Sequence, residues 1–337
     1  ADFHLVLCCL LSGAEVWFSP DPDYLYTRRR GSVSAASAVE HITALIRAER
    51  PDLVHLHSRR GSDLWGGLAA RLEGVPAVLS RRVDNPEPRW WVARKYRLYA
   101  QVIAISEGIR RVLLAEGLTP QQVVCVHSAV DTEAYRPAPG ERAWVRAEFG
   151  LPADAPLIAM AAQFIPRKGH RTLLAALPAV FAAQPQARVL LFGQGPEHAA
   201  IDALVRQAGW SERVLLPGFR RDLARIVPGI DVLAHPAEME GLGVALLQAA
   251  ACGVPIVAGR AGGIPEIVRP GLNGELIEPG DAEALAGHLI RLLADTELRR
   301  RYGEAGRRLV LDEFSVDAMV EGNRAVYAAV SERAGLR

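Results

Sequence analysis

The segment HPAEMEGLGVALLQAAACGVPIVA, residues 235–258, holds the most concentrated candidate chemistry of the sequence. Glu240 stands directly before Gly-Leu-Gly, and a helical pattern runs from about Val244 to Cys252. The two glycines leave room for a ligand at the backbone, and the helix would direct free N–H groups toward it. Glu240 before the helix and Gln248 inside it could then reach one cleft. Equally, Glu240 could be a favourable anion at a helix N-terminus and Gln248 an ordinary helix former.

A cationic segment, FIPRKGHRTLLAAL, follows a predicted strand and opens a second helix. The apolar face of this helix is predicted to comprise Leu173, Leu174 and Leu177. Arg167 and Lys168 lie at the helix N-terminus, where cations and free backbone N–H groups suit a phosphate. A basic residue gains nothing from the helix dipole at this end. The placement therefore favours ligand binding over a purely structural role.

Two further glycine-rich turns follow predicted strands. In LLFGQGPEHAAI, Gly193 and Gly195 would permit a tight turn, with Pro196 at the first helical position. In GRAGGIPEIV, two glycines precede a helix start that has Pro265 and Glu266 in its first turn. This second turn and the Glu240 segment open helices on neighbouring strands, so they could converge on one diphosphate. No G-x-G-x-x-G nicotinamide fingerprint is present.

Short β-branched runs that alternate with longer helical patterns must position these segments. In the first half, helices are predicted over 35–49, 64–73 and 107–116, and the predicted strands are AEVWFS, DLVHLHS, PAVLSRR, QVIAIS and VVCVHS. In the second half, the predicted strands are LIAMAAQF, ARVLLFG, RVLLPG, DVLAHPA, PIVAGRA and GELIEP. Apolar strands joined by helical crossovers indicate parallel, doubly wound sheets. The predicted fold class is α/β, with two doubly wound Rossmann-like domains facing across a cleft.

The domain boundary is predicted in DTEAYRPAPGERAWVRAEFGLPADAP, which is rich in Pro, Ala and charge and has no strand periodicity. Residues 1–138 are expected to form an N-terminal, acceptor-side domain and residues 150–312 a donor-binding domain. Residues 313–337 are expected to form a helix that could pack back on the first domain. The chain opens on an apolar, helix-like stretch that stops at Gly13, so the first strand and loop are expected to be absent.

Composition excludes several classes of function. The chain has 337 residues, half of them apolar, and a net charge of +1, which gives no reason to expect a nucleic-acid partner. From Arg28 to Arg111, however, 16 basic residues face 8 acidic ones, an excess of 16 − 8 = +8. This half could face anionic groups, although arginines solvated on helix surfaces are the commoner explanation.

The cysteines and apolar runs indicate a reducing, cytoplasmic compartment. The four cysteines have neither C-x-x-C spacing nor a paired histidine pattern, so no zinc site or disulfide framework is predicted. No apolar run reaches the roughly 18 residues of a membrane span, so any membrane contact would be peripheral. Asp-Pro-Asp at 21–23 resembles a metal-binding triplet of another fold, but nothing else supports that fold. Neither a metal nor a cofactor is assigned.

The order of these motifs resembles the retaining glycosyltransferases of family 4, which have the GT-B fold. RKGH, GQGPE, EGLGVALLQAAACGVPIVA and GGIPEIVRPGLNGELIEPGD resemble the C-terminal half of that family. ERPDLVHLHS, ISEGIRRVL and VVCVHSAVDTEAYRP resemble its N-terminal half, so the matches run from about residue 50 to residue 315. Their order is more specific than any single motif.

The resemblance implies transfer of a sugar from a nucleoside diphosphate donor, with retained anomeric configuration. No metal is expected, since Lys168, Arg167 and the helix N-termini could supply the positive potential. Lys168 would contact the diphosphate, and Glu240 the donor sugar. Both are the implied catalytic residues. The remaining implied donor-binding positions are Gln163, Arg167, Gly195, Gly218, Phe219, Arg220, Gly241, Leu242, Gly243, Gln248, Gly262, Gly263 and Glu266. The loop PGFRRD would border the nucleobase, and the leaving phosphate itself could take the proton of the acceptor.

Three departures from the family pattern stand out. Gln163 occupies the position where the family usually has an arginine, five residues before the lysine. Gln248 replaces the family's second Glu and keeps an acceptor oxygen while adding an amide donor, so weaker or altered ribose binding is expected. Arg81 and Arg82 stand where the family often has a histidine, and they could bind an anionic acceptor or form a surface salt-bridged pair.

The acceptor side is expected in the first half, with His57, Arg59, Arg81 and Arg82 as candidates. Because His55 and His57 alternate along a strand, only one of them is expected on a given side. His57 is the better pocket candidate, and a satisfied core histidine is an equal alternative. The segment RWWVARKYRLY mixes aromatic residues with four cations, which could suit a bilayer interface or a lipid-linked acceptor, or ordinary helix packing.

Three functions fit the sequence. The leading hypothesis is a metal-independent hexosyltransferase at the inner face of the membrane, acting on a bacterial envelope glycan or lipid-linked acceptor. The alternatives are a sugar-nucleotide epimerase or hydrolase of related fold, and a degenerate sugar-nucleotide-binding protein without catalysis. Donor turnover without an acceptor would distinguish the second hypothesis, and donor binding without turnover the third.

Overall fold

The computed structural model describes residues 4–8, 16–17, 35–57 and 62–335, and the chain divides into two compact units. The first unit comprises residues 1–127 and 319–337, and the second comprises residues 128–318. A six-stranded sheet with helices between its strands forms the centre of each unit. The expected α/β class with two Rossmann-like sheets is therefore confirmed.

The sheet of the first unit has the strand order β2-β1-β3-β4-β5-β6. Its strands are β1 His4–Cys8, β2 Val16–Trp17, β3 Leu53–His57, β4 Ala77–Arg81, β5 Gln101–Ala104 and β6 Val123–Cys125. Its helices are α1 Ala35–Glu49, α2 Ser62–Leu72, α3 Arg89–Lys95 and α4 Glu107–Glu116. Strands β3 to β6 are parallel, as apolar strands with helical crossovers require. The predicted helices 35–49 and 107–116 are confirmed to the residue.

The start of the chain differs from the helix-like stretch predicted there. His4–Cys8 is a strand that pairs antiparallel with both β2 and β3. A five-residue apolar run fits a strand or a buried helix equally well by periodicity, and its pairing with Leu53–His57 decides between them. Within the predicted strand AEVWFS, Val16–Trp17 is described, and it is a strand.

The C-terminal helix α13, Val316–Ala334, contributes most of its length to the first unit. Its Val326 and Val330 pack against Leu53, Val78 and Ile103 at the centre of the sheet. The chain therefore returns to its first sheet at its C-terminal end, and the core of this unit contains residues from both ends of the sequence.

The sheet of the second unit is parallel throughout, with the strand order β12-β11-β10-β7-β8-β9. Its strands are β7 Leu157–Ala161, β8 Arg188–Phe192, β9 Val214–Gly218, β10 Val232–His235, β11 Ile256–Gly259 and β12 Gly274–Ile277. Its helices are α5 Glu141–Glu148, α6 His170–Ala183, α7 His198–Gln207, α8 Leu223–Ile226, α9 Val244–Ala251, α10 Ile264–Ile267, α11 Ala282–Ala294 and α12 Thr296–Glu313. All six predicted strands of this half are confirmed, and so is the helix from Val244.

The core of this unit lies between the sheet and helices α6 and α11. The predicted apolar face of α6 is confirmed, because Leu173, Leu174 and Leu177 are buried against strand residues such as Ile158 and Leu191. The helix after LLFGQG begins two residues later than predicted, so Pro196 precedes it rather than occupying its first position. The Phe164 carbonyl accepts a hydrogen bond from the Glu197 N–H at 3.0 Å, which holds Pro196 in the turn.

The second compact unit begins at Ser128. The sequence analysis instead predicted that the first domain ends at residue 138 and the second begins at residue 150. Hydrogen bonds explain the difference. The Val130 N–H donates to the Phe314 carbonyl at 3.1 Å, and the Arg307 guanidinium donates to the carbonyls of Thr132 and Tyr135. The start of the predicted linker is therefore fixed to the second unit.

The linker also contains a helix, α5, which the absence of strand periodicity did not reveal. Arg146 of α5 is buried and donates to Asp231 Oδ2 at 2.9 Å and to the carbonyls of Gly229 and Ala155 at 2.8 Å. Asp231 also accepts from the Leu157 N–H at 2.8 Å. This ion pair fastens α5 to the starts of β7 and β10, so it anchors the linker to the second sheet.

Replacing Arg146 with Met should lower the free energy of unfolding by about 3–5 kcal/mol, because two buried carbonyls would lose their donor and Asp231 would lose its buried charge partner. Among the described residues, Asp231 would keep only the exposed Arg142 and the more distant Arg299 as charge partners. The matched control is Arg206→Met, whose side chain is 72% exposed in its pair with Asp202. That change should cost less than about 0.5 kcal/mol. Urea denaturation of both variants measures the difference, and equal shifts in midpoint would contradict a structural role for Arg146.

Candidate functional site

The candidate site lies at the carboxyl ends of β7 and β10, neighbours in the sheet of the second unit. After β7 the strand order proceeds in one direction through β8 and β9, and the later strands β10 to β12 lie on the other side. The point between two such strands, where the strand order reverses, is where α/β folds form a crevice that binds ligands. The loop after β7 carries Lys168, and the loop after β10 carries Glu240.

Lys168 and Glu240 form an ion pair across the two loops. Lys168 Nζ lies 2.5 Å from Glu240 Oε2, and the side chains are 12% and 15% exposed. A glycine allows the loops to meet: Gly169 has φ +78°, and a Cβ there would lie 2.0 Å from the Pro236 carbonyl oxygen. The structure thus brings together the two residues expected to be catalytic.

His235, the last residue of β10, contacts the same carboxylate. Its Nε2 lies 3.0 Å from Glu240 Oε2, and its ring is buried. Burial alone would raise the pKa of Glu240, but the hydrogen bond and charge of His235 and the charge of Lys168 outweigh burial and lower the pKa to about 2. Glu240 is therefore an ionised acceptor at neutral pH.

A second buried histidine, His170, opens helix α6 next to Lys168. Its ring stacks on Phe164 with centroids 4.3 Å apart. Burial, followed by the charges of His235 and Lys168, lowers the pKa of His170 to about 4, so the imidazole is neutral at pH 7. The sequence reasoning missed both histidines. The signal for His235 was its position at a strand's carboxyl end, where α/β folds place ligand-binding residues.

The loop after β11 packs against the Glu240 loop, as the predicted convergence requires. The Gly263 N–H donates to the Glu240 carbonyl oxygen at 3.2 Å. Gly262 has φ +52°, and a Cβ there would lie 1.7 Å from that same oxygen, so no other residue fits. Glu266 follows in the first turn of α10 and is half-buried.

Helix α9 begins next to Glu240 with Gly243 as its N-cap residue. Gly241 and Leu242 are buried in the turn that precedes it. Gln248 is half-buried, one turn inside the helix, between the buried residues Leu247 and Ala249. The position of Gln248 relative to Glu240 agrees with the sequence analysis.

The loops after β7 and β8 contain the other donor-side candidates. Gln163 is exposed, and Arg167 is half-buried with its carbonyl accepting from the Glu238 N–H at 2.9 Å. Gly195 lies in the turn after β8. The Phe164 N–H donates a hydrogen bond to the Gln194 carbonyl of this turn at 3.0 Å. These bonds tie the cationic loop to its neighbours on both sides.

The PGFRRD loop follows β9, and its two side-chain candidates differ. After Gly218, Phe219 is 62% exposed and presents an apolar ring to solvent. Arg220 instead donates to Asp222 at 2.8 Å and to Glu148 at 2.9 Å. Hydrogen bonds to these carboxylates raise the pKa of Arg220. Arg220 therefore orders the loop, and Phe219 is the group open to a ligand.

In the first unit, the expectation that His55 and His57 face opposite sides is wrong. Their ring centroids lie 4.0 Å apart, because residues two apart in a strand share a face. His55 is a satisfied core histidine: Nδ1 lies 2.6 Å from Tyr327 Oη and Nε2 2.8 Å from Ser80 Oγ. Burial, followed by the charges of His57 and Arg82, lowers the pKa of His55 well below its usual value. His57 is half-buried.

The arginine candidates of the acceptor side separate clearly. Arg81 is buried, donates to the carbonyls of Val83 and Asn85, and pairs with Glu87 at 3.2 Å. Arg81 is therefore a structural residue, whereas Arg82 is exposed. Arg59 and the triplet at 21–23 lie outside the described residues.

Helix α3 has a structural inner side and a cationic, aromatic outer side. Lys95 is buried and pairs with Asp63 at 2.5 Å and Glu87 at 2.9 Å, which fixes the helix to its unit. Trp90 is 63% exposed, and the exposed Arg94 guanidinium lies 5.9 Å from its ring centroid. Ordinary helix packing, one of the two explanations offered for this segment, therefore accounts for the inner side of α3 and not for the outer side.

Among the described residues, no helix is both long and apolar enough to cross a bilayer. Cys252 is a buried free thiol, and burial raises the pKa of this thiol to about 12.

Known protein families and relatives are similar to this sequence along most of its length. The family model described as Glycosyltransferase Family 4 matches residues 10–134, and that described as Glycosyl transferases group 1 matches residues 142–309. The alpha-maltose-1-phosphate synthase of Mycolicibacterium smegmatis is 31% identical over 345 residues, covering 93% of this chain and 87% of the synthase.

A second relative is a GDP-mannose-dependent monoacylated alpha-(1-6)-phosphatidylinositol monomannoside mannosyltransferase of Corynebacterium glutamicum. It is 35% identical over 202 residues, which cover 58% of this chain and 53% of the relative. The match thus spans about half the length of that mannosyltransferase.

Solved structures show the same fold at low sequence identity. A glycosyltransferase from Rickettsia africae has a TM-score of 0.79 and 19% identity, covering 91% of this chain and 84% of its own. Anabaena Alr3699/HepE in complex with UDP and glucose has a TM-score of 0.78 and 23% identity, covering 88% and 83%. Together with the two family models and the nearly full-length synthase match, these likenesses show that the chain belongs to family 4 of the glycosyltransferases, with the GT-B fold.

Proposed function

We propose that this protein is a retaining, metal-independent glycosyltransferase that moves a sugar from a nucleoside diphosphate donor to an acceptor. The observation that carries the proposal is the ion pair of Lys168 with Glu240 at the point where the strand order of the second sheet reverses. One loop there supplies a cation for phosphate, and the other supplies a carboxylate for sugar hydroxyls.

Lys168 binds the leaving diphosphate and stabilises its charge. An ammonium has three N–H donors, so Lys168 can bond phosphate oxygens while it keeps Glu240. As the bond between the anomeric carbon and the phosphate breaks, negative charge grows on the phosphate, and a fixed cation stabilises that charge. The starts of α6 and α9, at Gly169 and Gly243, add backbone N–H groups at the same carboxyl-terminal edge of the sheet.

Glu240 handles the sugar. Its carboxylate is ionised at neutral pH and can only accept hydrogen bonds, so it selects hydroxyl donors. In the proposed front-face reaction, the acceptor oxygen bonds to the anomeric carbon on the face that the phosphate leaves. The acceptor's proton passes to the departing phosphate, which accounts for retention without a separate base.

Outlying residues hold the nucleoside. Phe219 offers an exposed ring beside the proposed base position, and Gln248 offers an amide to the ribose hydroxyls. Glu266 and the glycines at 262 and 263 complete the wall formed by the Glu240 loop. A thermal-shift screen of the full chain against sugar nucleotides identifies the base and the sugar.

The acceptor proposed here is an anionic or lipid-linked envelope glycan. The names of two relatives specify a phosphatidylinositol mannoside and a maltose 1-phosphate, both of which carry phosphate. The outer side of α3, with exposed Trp90 and Arg94, and the exposed Arg97 in the turn after it would hold the protein at the inner face of an anionic membrane.

Lys168→Ala should reduce sugar transfer by at least about hundredfold, because the growing phosphate charge would lose its fixed cation. Initial rates are measured in excess EDTA, since the proposal includes no metal. Arg171→Ala is the control: Arg171 is an exposed cation three residues away that pairs with Glu197 at 3.4 Å, and its variant should stay active.

The outcomes separate the alternatives. Equal rates for the Lys168 and Arg171 variants, both folded, would defeat the site assignment, and abolition of wild-type transfer by EDTA would defeat metal independence. Donor hydrolysis without acceptor would favour the epimerase or hydrolase, and donor binding without turnover the degenerate binding protein.

Gln248→Glu should tighten donor binding roughly fivefold, because a carboxylate accepts hydrogen bonds from ribose hydroxyls more strongly than an amide does. Isothermal titration calorimetry with the nucleoside diphosphate measures the change. A 2′,3′-dideoxyribose analogue serves as the control, since its affinity should not respond. Equal affinities of wild type and variant for the natural nucleotide would argue against a ribose contact.

Replacing Trp90 and Arg94 together with Ser should weaken binding to anionic vesicles roughly fivefold or more, because one interfacial ring and one cation are lost. Cosedimentation with phosphatidylcholine vesicles, with and without phosphatidylglycerol, measures this binding. Arg206→Ser in the second unit is the control. Wild-type protein that ignores anionic vesicles would contradict the membrane proposal and leave the transferase proposal standing.

A further inference from the structure

Two side chains converge on a single oxygen of Glu240. Lys168 Nζ lies 2.5 Å from Oε2, and His235 Nε2 lies 3.0 Å from the same atom. Within the described part of the chain, no residue donates a hydrogen bond to Oε1. One carboxylate oxygen is therefore fixed by the protein, and the other is left for a ligand.

We infer that His235 is a positioning residue, which holds Oε2 of Glu240 in place when Lys168 engages the donor diphosphate and thereby presents Oε1 to a donor sugar hydroxyl. The inference rests on the proposed function and deepens it. His235 itself touches no reacting atom, and it acts through Glu240.

The backbone around His235 keeps its ring in place. His235 ends β10 in register with Ala258 of the neighbouring parallel strand β11. Its carbonyl accepts from the Ala237 N–H at 2.7 Å, which turns the chain directly after the strand. The ring is 2% exposed, so packing restricts its rotation. A strand end is a more rigid support for Glu240 than the loop that carries Lys168.

Among the described residues, the ring of His235 has one hydrogen-bond partner, Glu240. Glu240 is ionised and can only accept, so Nε2 carries the hydrogen that joins them. Nδ1 is buried and has no hydrogen-bond partner among the described residues. Of the other titratable groups around the carboxylate, Lys168 pairs with it and His170 is neutral.

A second anchor matters because the donor brings negative charge. Lys168 and His235 together offset the burial of Glu240. When the diphosphate arrives, it bonds the unused donors of the lysine ammonium and places negative charge beside Glu240. A carboxylate held by Lys168 alone would then be repelled by the phosphates and lose its position, whereas His235 retains it.

Three variants at position 235 test the inference, because they differ in whether the side chain can place a hydrogen-bond donor near Glu240. His235→Gln can place an amide N–H near the position of Nε2, His235→Asn falls short of that position, and His235→Phe fills the space without a donor. We expect Phe and Asn to lower kcat about ten- to hundredfold, with a roughly unchanged donor KM, and Gln to restore most of the rate. If the Phe variant does not fold, the Gln and Asn pair still decides.

The pH dependence provides a readout that a packing role would not move. His235 lowers the pKa of Glu240, so its removal should raise that pKa and shift the acidic limb of kcat/KM to higher pH in the Phe variant. Equal kcat values for the Gln and Asn variants, or an unmoved acidic limb, would overturn the inference.

Carbon-13 NMR titration of the glutamate carboxyl groups tests the contact without any donor. The Glu240 signal should titrate at higher pH in His235→Phe than in wild type, and Glu240→Gln assigns the signal. An unchanged Glu240 titration would overturn the positioning role alone. Failure of the wild-type chain to bind any sugar nucleotide would instead overturn the proposed function, so the two failures are distinguishable.

Discussion

The contact of Glu240 with Lys168 and His235 is the constraint on which the second unit's ligand-facing loops depend. An ionised carboxylate that is 85% withdrawn from solvent costs several kcal/mol unless it is paired and hydrogen-bonded. The loops after β7, β10 and β11 must therefore meet around it. That meeting is why Gly169 and Gly262 are required, since a Cβ at either position would collide with a carbonyl oxygen. The glycines serve the loops' mutual packing before they serve any ligand.

The same contact links the site to stability. The folded pKa of Glu240, about 2, lies below its ordinary value of 4.5, so its ionisation favours the folded state. That contribution is fully present above about pH 4.5 and disappears as the pH falls toward 2. Folding itself therefore places the carboxylate and the cation before a donor binds.

The sequence predicted the second unit well because its signals are local. Apolar runs bounded by glycine, proline or polar residues define every strand of that sheet, and the helix from Val244 follows a glycine turn. The predictions failed where contacts between residues distant in sequence determine the structure. His4–Cys8 is a strand because it pairs with β3. Helix α5 is held by Arg146, whose carboxylate partner lies 85 residues away. His235 was missed because its partner becomes visible only in the folded loops. The side of the sheet that His55 and His57 share was predictable from strand periodicity alone.

Lys95, Arg146 and Lys168 show how a structural ion pair differs from a binding site. Lys95 has three N–H donors and three contacts to carboxylate oxygens, from Asp63 and Glu87, so its donors are filled. Arg146 divides its donors between Asp231 and backbone carbonyls. Lys168 has one hydrogen-bond acceptor within the described part of the chain, Glu240, and two donors to spare. Within the described residues, Arg146 also has a donor without a partner, Nε, but it is buried near the starts of β7 and β10. Lys168 differs in position, because its unused donors lie at the carboxyl ends of β7 and β10, where a half-buried ammonium is suited to bind an anion.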